Sequence, residues 1–151
     1  MIRKDKEITD LNEIESIIRR SVVCRLALAD QNEPYVVPLS FGYKDNTLYF
    51  HSASKGKKID MLKKNSRVCF EFDIDYEIIK ADKACEWGMR YKSVIGFGEA
   101  SFVEGAESKR RALDVIMAQY ADGSFSFPET RITNTVVIRV DIEDMYGKQS
   151  G

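Results

Sequence analysis

The longest strict alternation of apolar and polar residues in this chain runs from Arg67 to Ile79. A period of two over so many residues predicts a long strand with one buried and one solvated face. The predicted buried face consists of Val68, Phe70, Phe72, Ile74, Tyr76 and Ile78, and the solvated face of Cys69, Glu71, Asp73, Asp75 and Glu77. We expect the acidic row to be solvated rather than to bind a metal, because no histidine lies nearby.

Periodicity elsewhere predicts about six strands in all and three helices. The other strands are expected at Val22–Ala29, Pro34–Tyr43, Thr47–Ser52, Arg90–Val103 and from Val136 onward, and the helices from Asp10 to about Arg20, from Lys57, and over Ala106–Tyr120. Asp10 and Glu13 predict a capping box for the first helix, whose apolar face is Leu11, Ile14, Ile17 and Ile18. Turns are predicted at residues 30–33 and at Asp45-Asn46, and a loop from Asp122 to Asn134. Consecutive strands joined by short turns favour an antiparallel barrel with helices packed outside, an α+β fold. A doubly wound nucleotide fold would alternate strand and helix throughout. The 151 residues fit one domain, 1–151.

Proline and glycine mark special places in two of these strands. Pro38 removes a ladder donor, so it predicts a sheet edge or a bulge with free backbone groups. Gly96 and Gly98 lie on one face of their strand, which indicates that something packs directly on the backbone. Either a crossing strand or a flat ligand could be the group that packs on these glycines.

Composition limits the partners. The net charge of −1 provides no general attraction to nucleic acid or to an anionic membrane. The sequence contains no apolar run of the length of a membrane span and no signal-peptide core near its start. The three scattered cysteines, Cys24, Cys69 and Cys85, predict reduced thiols in a cytoplasmic protein.

A loop of small and basic residues lies between a strand ending at Ser52 and the helix predicted from Lys57. Lys55, Lys57 and Lys58 crowd the start of that helix, where cations are normally disfavoured. A bound anion would explain the placement, because helix N-termini bind phosphates and the hydroxyls of Ser52 and Ser54 would add donors. The alternative is a solvated basic loop.

The sequence offers little for hydrolysis or zinc catalysis, because His51 is the only histidine and no nucleophile elbow occurs. His51 is either a half-buried strand residue or a contact to a ligand or substrate beside the basic loop. An anion site without catalytic side chains indicates a cofactor that carries its own chemistry.

Four segments in order carry a family resemblance: Cys24–Ala27, Pro34–Tyr43, Leu48–Ala53 with Gly56–Lys58, and Arg90–Gly98. Together they resemble the 5-nitroimidazole-resistance (Nim-like) branch of the pyridoxamine 5′-phosphate oxidase-like flavoproteins. The resemblance covers nearly the whole chain. It implies a split β-barrel that forms a homodimer and binds FMN in clefts at the subunit interface.

The resemblance also implies roles for particular residues. Ser52, Lys57 and Lys58 would hold the FMN phosphate, and Val37, Pro38, Leu39 and Ser40 would lie along the flavin ring. Phe50 and Ser93 also belong to the implied cofactor-binding residues. Trp87 and Arg90 would approach the site, either from the same subunit or from the partner subunit. His51 would lie near the flavin or the substrate and is the implied catalytic residue.

The chain departs from pyridoxamine 5′-phosphate oxidase proper, whose substrate-binding arginine and histidine pattern we do not find near the C-terminus. The leading hypothesis is an FMN-dependent oxidoreductase that reduces a small acceptor, a nitroaromatic compound being one candidate. The alternatives are a non-catalytic flavin-binding or sensing protein, and a haem or deazaflavin protein on the same scaffold. We expect a homodimer, because the apolar residues exceed the needs of one barrel.

Overall fold

The computed structural model describes residues 3–151. Within them the chain forms eight strands and four α-helices. The strands are β1 (Glu7–Ile8), β2 (Cys24–Asp30), β3 (Glu33–Leu39), β4 (Gly42–Lys44), β5 (Thr47–Ser52), β6 (Arg67–Ile79), β7 (Gly88–Phe102) and β8 (Val136–Ser150), and the helices are α1 (Leu11–Arg20), α2 (Lys57–Lys64), α3 (Ala106–Tyr120) and α4 (Glu129–Asn134). Short 3₁₀ turns cover Lys4–Lys6 and Ala84–Glu86. No helix among these is long and apolar enough to cross a membrane.

The strands form one antiparallel sheet in the order β3-β2-β6-β7-β8-β5-β4, with β1 added beside β8. The predicted α+β class and antiparallel architecture are confirmed. The strand count is eight rather than the predicted six. The expected strand Pro34–Tyr43 is two strands, β3 and β4, which lie at opposite edges of the sheet, and the short β1 was not predicted. The expected loop before the last strand also contains a short helix, α4.

The inner face of the curved sheet holds the core. The four large side chains Phe41, Phe50, Phe70 and Phe72 are fully buried there. Helix α1 adds Ile14, Ile17 and Ile18 of its predicted apolar face, whereas Leu11 of the same face is exposed. Asp10 caps this helix by accepting a hydrogen bond from the backbone N–H of Asn12, as expected. Glu13 lies near Lys92, with 3.8 Å between its carboxylate and the lysine ammonium.

The paired glycines on β7 have an internal explanation. Gly96 lies opposite Phe70 in the sheet register, and a side chain at Gly96 would collide with the Phe70 ring. A Cβ at Gly98 would meet the backbone of Asp141 and the side chain of Val140 on β8. The groups that pack on this backbone are therefore the chain's own, rather than a flat ligand.

The long alternation in β6 is interrupted at Asp75. This residue has a positive φ of 57°, and the register of the β6–β7 pair shifts between Ile74 and Glu77. A bulge of one residue moves the following side chains to the other face. Val68 to Ile74 are buried at alternate positions as predicted, whereas the prediction for Tyr76 and Ile78 is wrong, since both are exposed.

Candidate functional site

The sheet is open, with β3 at one edge and β4, next to β5, at the other. We call the gap between these two edges, on the side where α2 lies, the cleft. The chain leaves the β5 edge at Ser52 and crosses to the β3 side through residues 53–56 and helix α2. Two ion pairs attach α2 to the β2–β3 hairpin: Lys57 Nζ lies 2.7 Å from Glu33 Oε1, and Lys64 Nζ lies 3.7 Å from Asp30 Oδ2. The residues predicted to bind an anion therefore lie where the sheet is split.

A tyrosine hydrogen-bonds the backbone at the point where β3 and β4 separate. The backbone N–H of Phe41 donates to the Tyr120 hydroxyl at 2.9 Å, and this hydroxyl donates to the Val22 carbonyl at 2.8 Å. Tyr120 thus satisfies a backbone donor at the point where the chain leaves the β3 edge. Phe41 is anchored in the core against Phe72, with ring centroids 4.9 Å apart.

Pro38 lies on an edge strand, which is one of the two placements predicted for it. The register of β3 with β2 runs without a shift from Cys24–Leu39 to Asp30–Glu33, so no bulge occurs there. Val37 and Leu39 are half-buried and pack against the core, whereas Pro38 and Ser40 are exposed. The outer edge of β3 faces the cleft, and no strand within residues 3–151 pairs with it.

Helix α2 begins without a side-chain cap. Gly56 precedes it with φ of 141°, a conformation that favours glycine, and no side chain accepts from the first-turn N–H groups. Uncapped N–H groups and the positive end of the helix dipole provide donors for an anion.

The two lysines that open α2 differ in their surroundings. Glu33 hydrogen-bonds the Lys57 ammonium, which raises the pKa of Lys57 and lowers that of Glu33, and Lys57 also lies 4.8 Å from the centroid of the Tyr35 ring. Lys58 is half-buried, forms no ion pair within the described chain, and has its pKa lowered by burial. Of the two ammonium groups, that of Lys58 is the one free to bind an added anion.

Successive side chains at the end of β5 lie on opposite faces of the sheet. The Phe50 side chain is fully buried in the core, so only its backbone can meet a ligand. Ser52 is half-buried and its hydroxyl donates to the Ala53 carbonyl at 3.1 Å. His51 is exposed rather than half-buried, and it lies on the opposite side, where it lines a cavity with residues of α3 and α4.

The remaining predicted residues lie away from this cleft. Trp87 and Arg90 are exposed on an arm formed by the ends of β6 and β7, which we call the β6–β7 arm (Asp75–Arg90). The Trp87 indole N–H donates to the Ala81 carbonyl at 2.7 Å, and Arg90 pairs with Glu77 at 3.2 Å. Ser93 is buried in β7, beside Asp73 of β6 and Lys148 of β8. One subunit therefore brings together the β3, β5 and α2 residues but not these three.

Sequence reasoning missed two residues at these sites. Glu33 lies in a predicted turn, and the sequence does not indicate that it forms an ion pair with Lys57. Arg131 lies in a predicted loop, whereas the structure places it on α4, where it lines the same cavity as His51. The sequence Pro128-Glu129 is a helix-start signal that would have indicated α4.

The family model of pyridoxamine 5′-phosphate oxidase matches residues 10–149. The chain belongs to the pyridoxamine 5′-phosphate oxidase-like family. The match includes β3, β5, α2 and the β6–β7 arm, and so all the residues of the cleft are part of the family fold.

Solved structures agree with this membership. The chain is 38% identical to a candidate 5-nitroimidazole antibiotic resistance protein from Bacteroides thetaiotaomicron, with a TM-score of 0.86 over 95% of this chain and 86% of the other. It is 25% identical to an FAD-binding protein from Mesorhizobium loti, with a TM-score of 0.69 over 95% of this chain and 96% of the other. An FAD- and haem-binding protein from Mycobacterium smegmatis has the same fold, with a TM-score of 0.86 and 18% identity over 96% of this chain and 73% of the other.

Among curated proteins, an uncharacterized protein of Rhizobium meliloti is 30% identical over 59 residues. The aligned part covers 39% of this chain and 38% of that relative.

Proposed function

We propose that this protein is an FMN-dependent oxidoreductase that acts as a homodimer and reduces a small acceptor, a nitroaromatic compound being one candidate. The observation that carries the proposal is the combination of an uncapped start of α2, a half-buried Lys58 ammonium and an outer edge of β3, the last two without a partner among residues 3–151. Family membership and the flavin-binding relatives support a flavin there.

The residues of the cleft fit a phosphate ester followed by a flat ring. Lys58, the α2 N–H groups and Ser52 would hold the phosphate through charge-assisted hydrogen bonds. Val37, Pro38, Leu39 and Ser40 would lie along the ring, where the outer edge of β3 offers its backbone groups. Bound FMN would supply the electron or hydride transfer. The protein would bind it, orient it and exclude water.

A second copy of the chain would complete the cleft. The β6–β7 arm exposes Tyr76, Ile78, Trp87 and Met89, and Ile78 lies directly opposite Met89 in the register. An exposed apolar patch of this kind is typical of a protein–protein interface. In a homodimer, Trp87 and Arg90 of one subunit would approach the cleft of the other.

Flavin titration of the purified protein tests the phosphate assignment. We expect FMN to be retained with absorption near 370 and 450 nm, roughly the positions of bound flavin bands. Lys58→Glu should weaken binding by about tenfold or more, since it removes one charge-assisted contact and adds a like charge. Lys63→Glu, at the far end of the same helix, is the matched control.

A gain-of-binding variant sharpens the test. Glu33→Gln removes the carboxylate that competes for Lys57, so FMN affinity should increase a few-fold. The assignment is wrong if Lys58→Glu binds FMN as tightly as the native protein. A band of the Soret type would instead indicate haem, with His51 as the histidine to replace. Reduction of the bound flavin by a donor, followed by reoxidation with nitroaromatic acceptors, tests turnover.

A further inference from the structure

A small cavity lies between β5, α3 and α4, on the other side of β5 from Phe50. Its volume is about 190 Å³, and its walls are formed by His51, Leu113, Ile116, Met117, Phe127, Arg131 and Thr135. Apart from His51, Arg131 and Thr135, these side chains are apolar. The cavity therefore combines an apolar wall with one permanent positive charge, that of Arg131.

Arg131 differs from the other arginines of the chain. Each of the others forms an ion pair with a carboxylate: Arg3, Arg19, Arg20, Arg25, Arg67, Arg90, Arg110, Arg111 and Arg139. Arg131 has no such partner among residues 3–151, and its guanidinium makes no hydrogen bond there. A guanidinium presents a planar fork of donors that matches a carboxylate.

The short helix that carries Arg131 is held in place. Ile132 is fully buried, and the Thr135 hydroxyl donates to the Arg131 carbonyl at 2.6 Å. Lys109 of α3 donates to the Ile132 carbonyl at 3.4 Å. The backbone from which Arg131 extends is thus fixed against α3, which reduces the entropy lost when the guanidinium binds a ligand.

The size of the cavity suits a single ring. A cavity of about 150 Å³ lined by aliphatic and aromatic side chains holds benzene, whereas drug-sized ligands need about 300 Å³ or more. A volume of about 190 Å³ therefore accommodates one aromatic ring with a small substituent, and its open side is formed in part by the exposed side chains of His51 and Arg131.

We infer that this cavity binds a monocyclic aromatic carboxylate, with its carboxylate on Arg131 and its ring against Leu113, Met117 and Phe127. The charge of Arg131 selects the anion, and the apolar walls select the ring. His51 lies at the end of β5, next to Ser52 of the flavin cleft. This binding does not depend on the proposed flavin chemistry.

Benzoate is the probe, and methyl NMR of methionine-labelled protein is the measurement. We expect benzoate to shift the Met117 methyl signal, assigned with Met117→Leu, and to bind about tenfold to a hundredfold more weakly to Arg131→Gln. Arg131→Lys keeps the positive charge but not the planar fork of donors, so its benzoate affinity should lie between those of the native protein and Arg131→Gln. Benzyl alcohol, which has the ring without the charge, should bind the native protein and Arg131→Gln equally.

Arg111→Gln is the matched control, because Arg111 lies on α3 and is paired with Glu107. Benzoate affinity that is unchanged in Arg131→Gln overturns the inference, as does a Met117 signal that benzoate does not move. The same samples are titrated with FMN. Benzoate binding without FMN binding supports the cavity and contradicts the proposed function, and FMN binding without benzoate binding contradicts the cavity alone.

Discussion

At the scale of single residues, the most unusual environment is a carboxylate pair on the outer face of the sheet. Arg25 of β2 lies between two residues of β6, with its Nη1 3.2 Å from Glu71 Oε1 and 2.9 Å from Asp73 Oδ2. Burial raises the pKa of Glu71 to about 7, and the adjacent Asp73 adds to the shift while Arg25 opposes it. The acidic row predicted to be solvated is therefore partly buried at these two positions.

A raised carboxyl pKa has a definite effect on stability. The folded protein holds the Glu71 proton more tightly than the unfolded chain does. The protonated carboxyl therefore contributes to the free energy of unfolding below about pH 4.5, and this contribution is lost as the pH rises to about 7. Glu71→Gln has no such loss. Its free energy of unfolding relative to the native protein should increase between pH 5 and 8 by about 1 kcal/mol.

Urea unfolding at a series of pH values measures this difference. Glu104→Gln is the control, because Glu104 is exposed and forms no ion pair within residues 3–151. A difference between Glu71→Gln and the native protein that stays constant or decreases with pH would contradict the prediction.

At the scale of elements, α3 is positioned by a glycine in β4. A Cβ at Gly42 would lie 2.6 Å from the backbone nitrogen of Ile116, so the helix crosses the strand at backbone contact. Only a residue without a side chain allows this approach. Ile116 is also a wall of the Arg131 cavity, so the Gly42 contact sets both the helix and the cavity.

Gly42→Ala should therefore destabilise the protein by about 1–3 kcal/mol, because the helix must move away from the strand. Thermal or urea unfolding measures the loss, and benzoate affinity should decrease with it. Gly88→Ala is the control: its φ is not positive, and its Cβ would lie 3.9 Å from the Ile79 side chain, an ordinary contact. Equal stability of the two variants would show that α3 does not depend on Gly42.

At the scale of the whole molecule, the bulge at Asp75 changes what the sheet exposes. Because the register shifts there, Ile78 and Met89 lie on the same outer face of the sheet as Ile95 and Phe97 of β7. Ile95 and Phe97 are half-buried, whereas Ile78 and Met89 are exposed. The β6–β7 arm thus extends an apolar outer face, which supports the proposed homodimer.

The double variant Ile78→Glu/Trp87→Glu should convert this dimer to a monomer, since it places charges in an apolar contact. Light scattering after gel filtration measures the mass, and FMN affinity should decrease by about tenfold or more if the partner completes the cleft. Leu11→Glu, an exposed apolar position on α1, is the control. A native protein that is monomeric, or a double variant that remains dimeric, would contradict the proposal.

Local sequence signals predicted much of the fold. Helix α1 with its Asp10 cap, the Asp45-Asn46 turn between β4 and β5, and the buried alternation from Val68 to Ile74 each depend on neighbours a few residues apart. Interactions between residues close in sequence determine such features, so the sequence alone predicts them. The basic start of α2 was found by the same reasoning, and its uncapped N–H groups agree with it.

The tertiary structure alone decided which sites those elements form. Where β3 and β4 diverge, the backbone N–H of Phe41 finds its partner in Tyr120, 79 residues away in sequence. Lys57 pairs with Glu33, and Arg131 has no ionic partner among residues 3–151; both facts likewise depend on where distant carboxylates lie. Sequence periodicity specifies the face on which a side chain lies, but the packing of distant segments determines what that side chain meets.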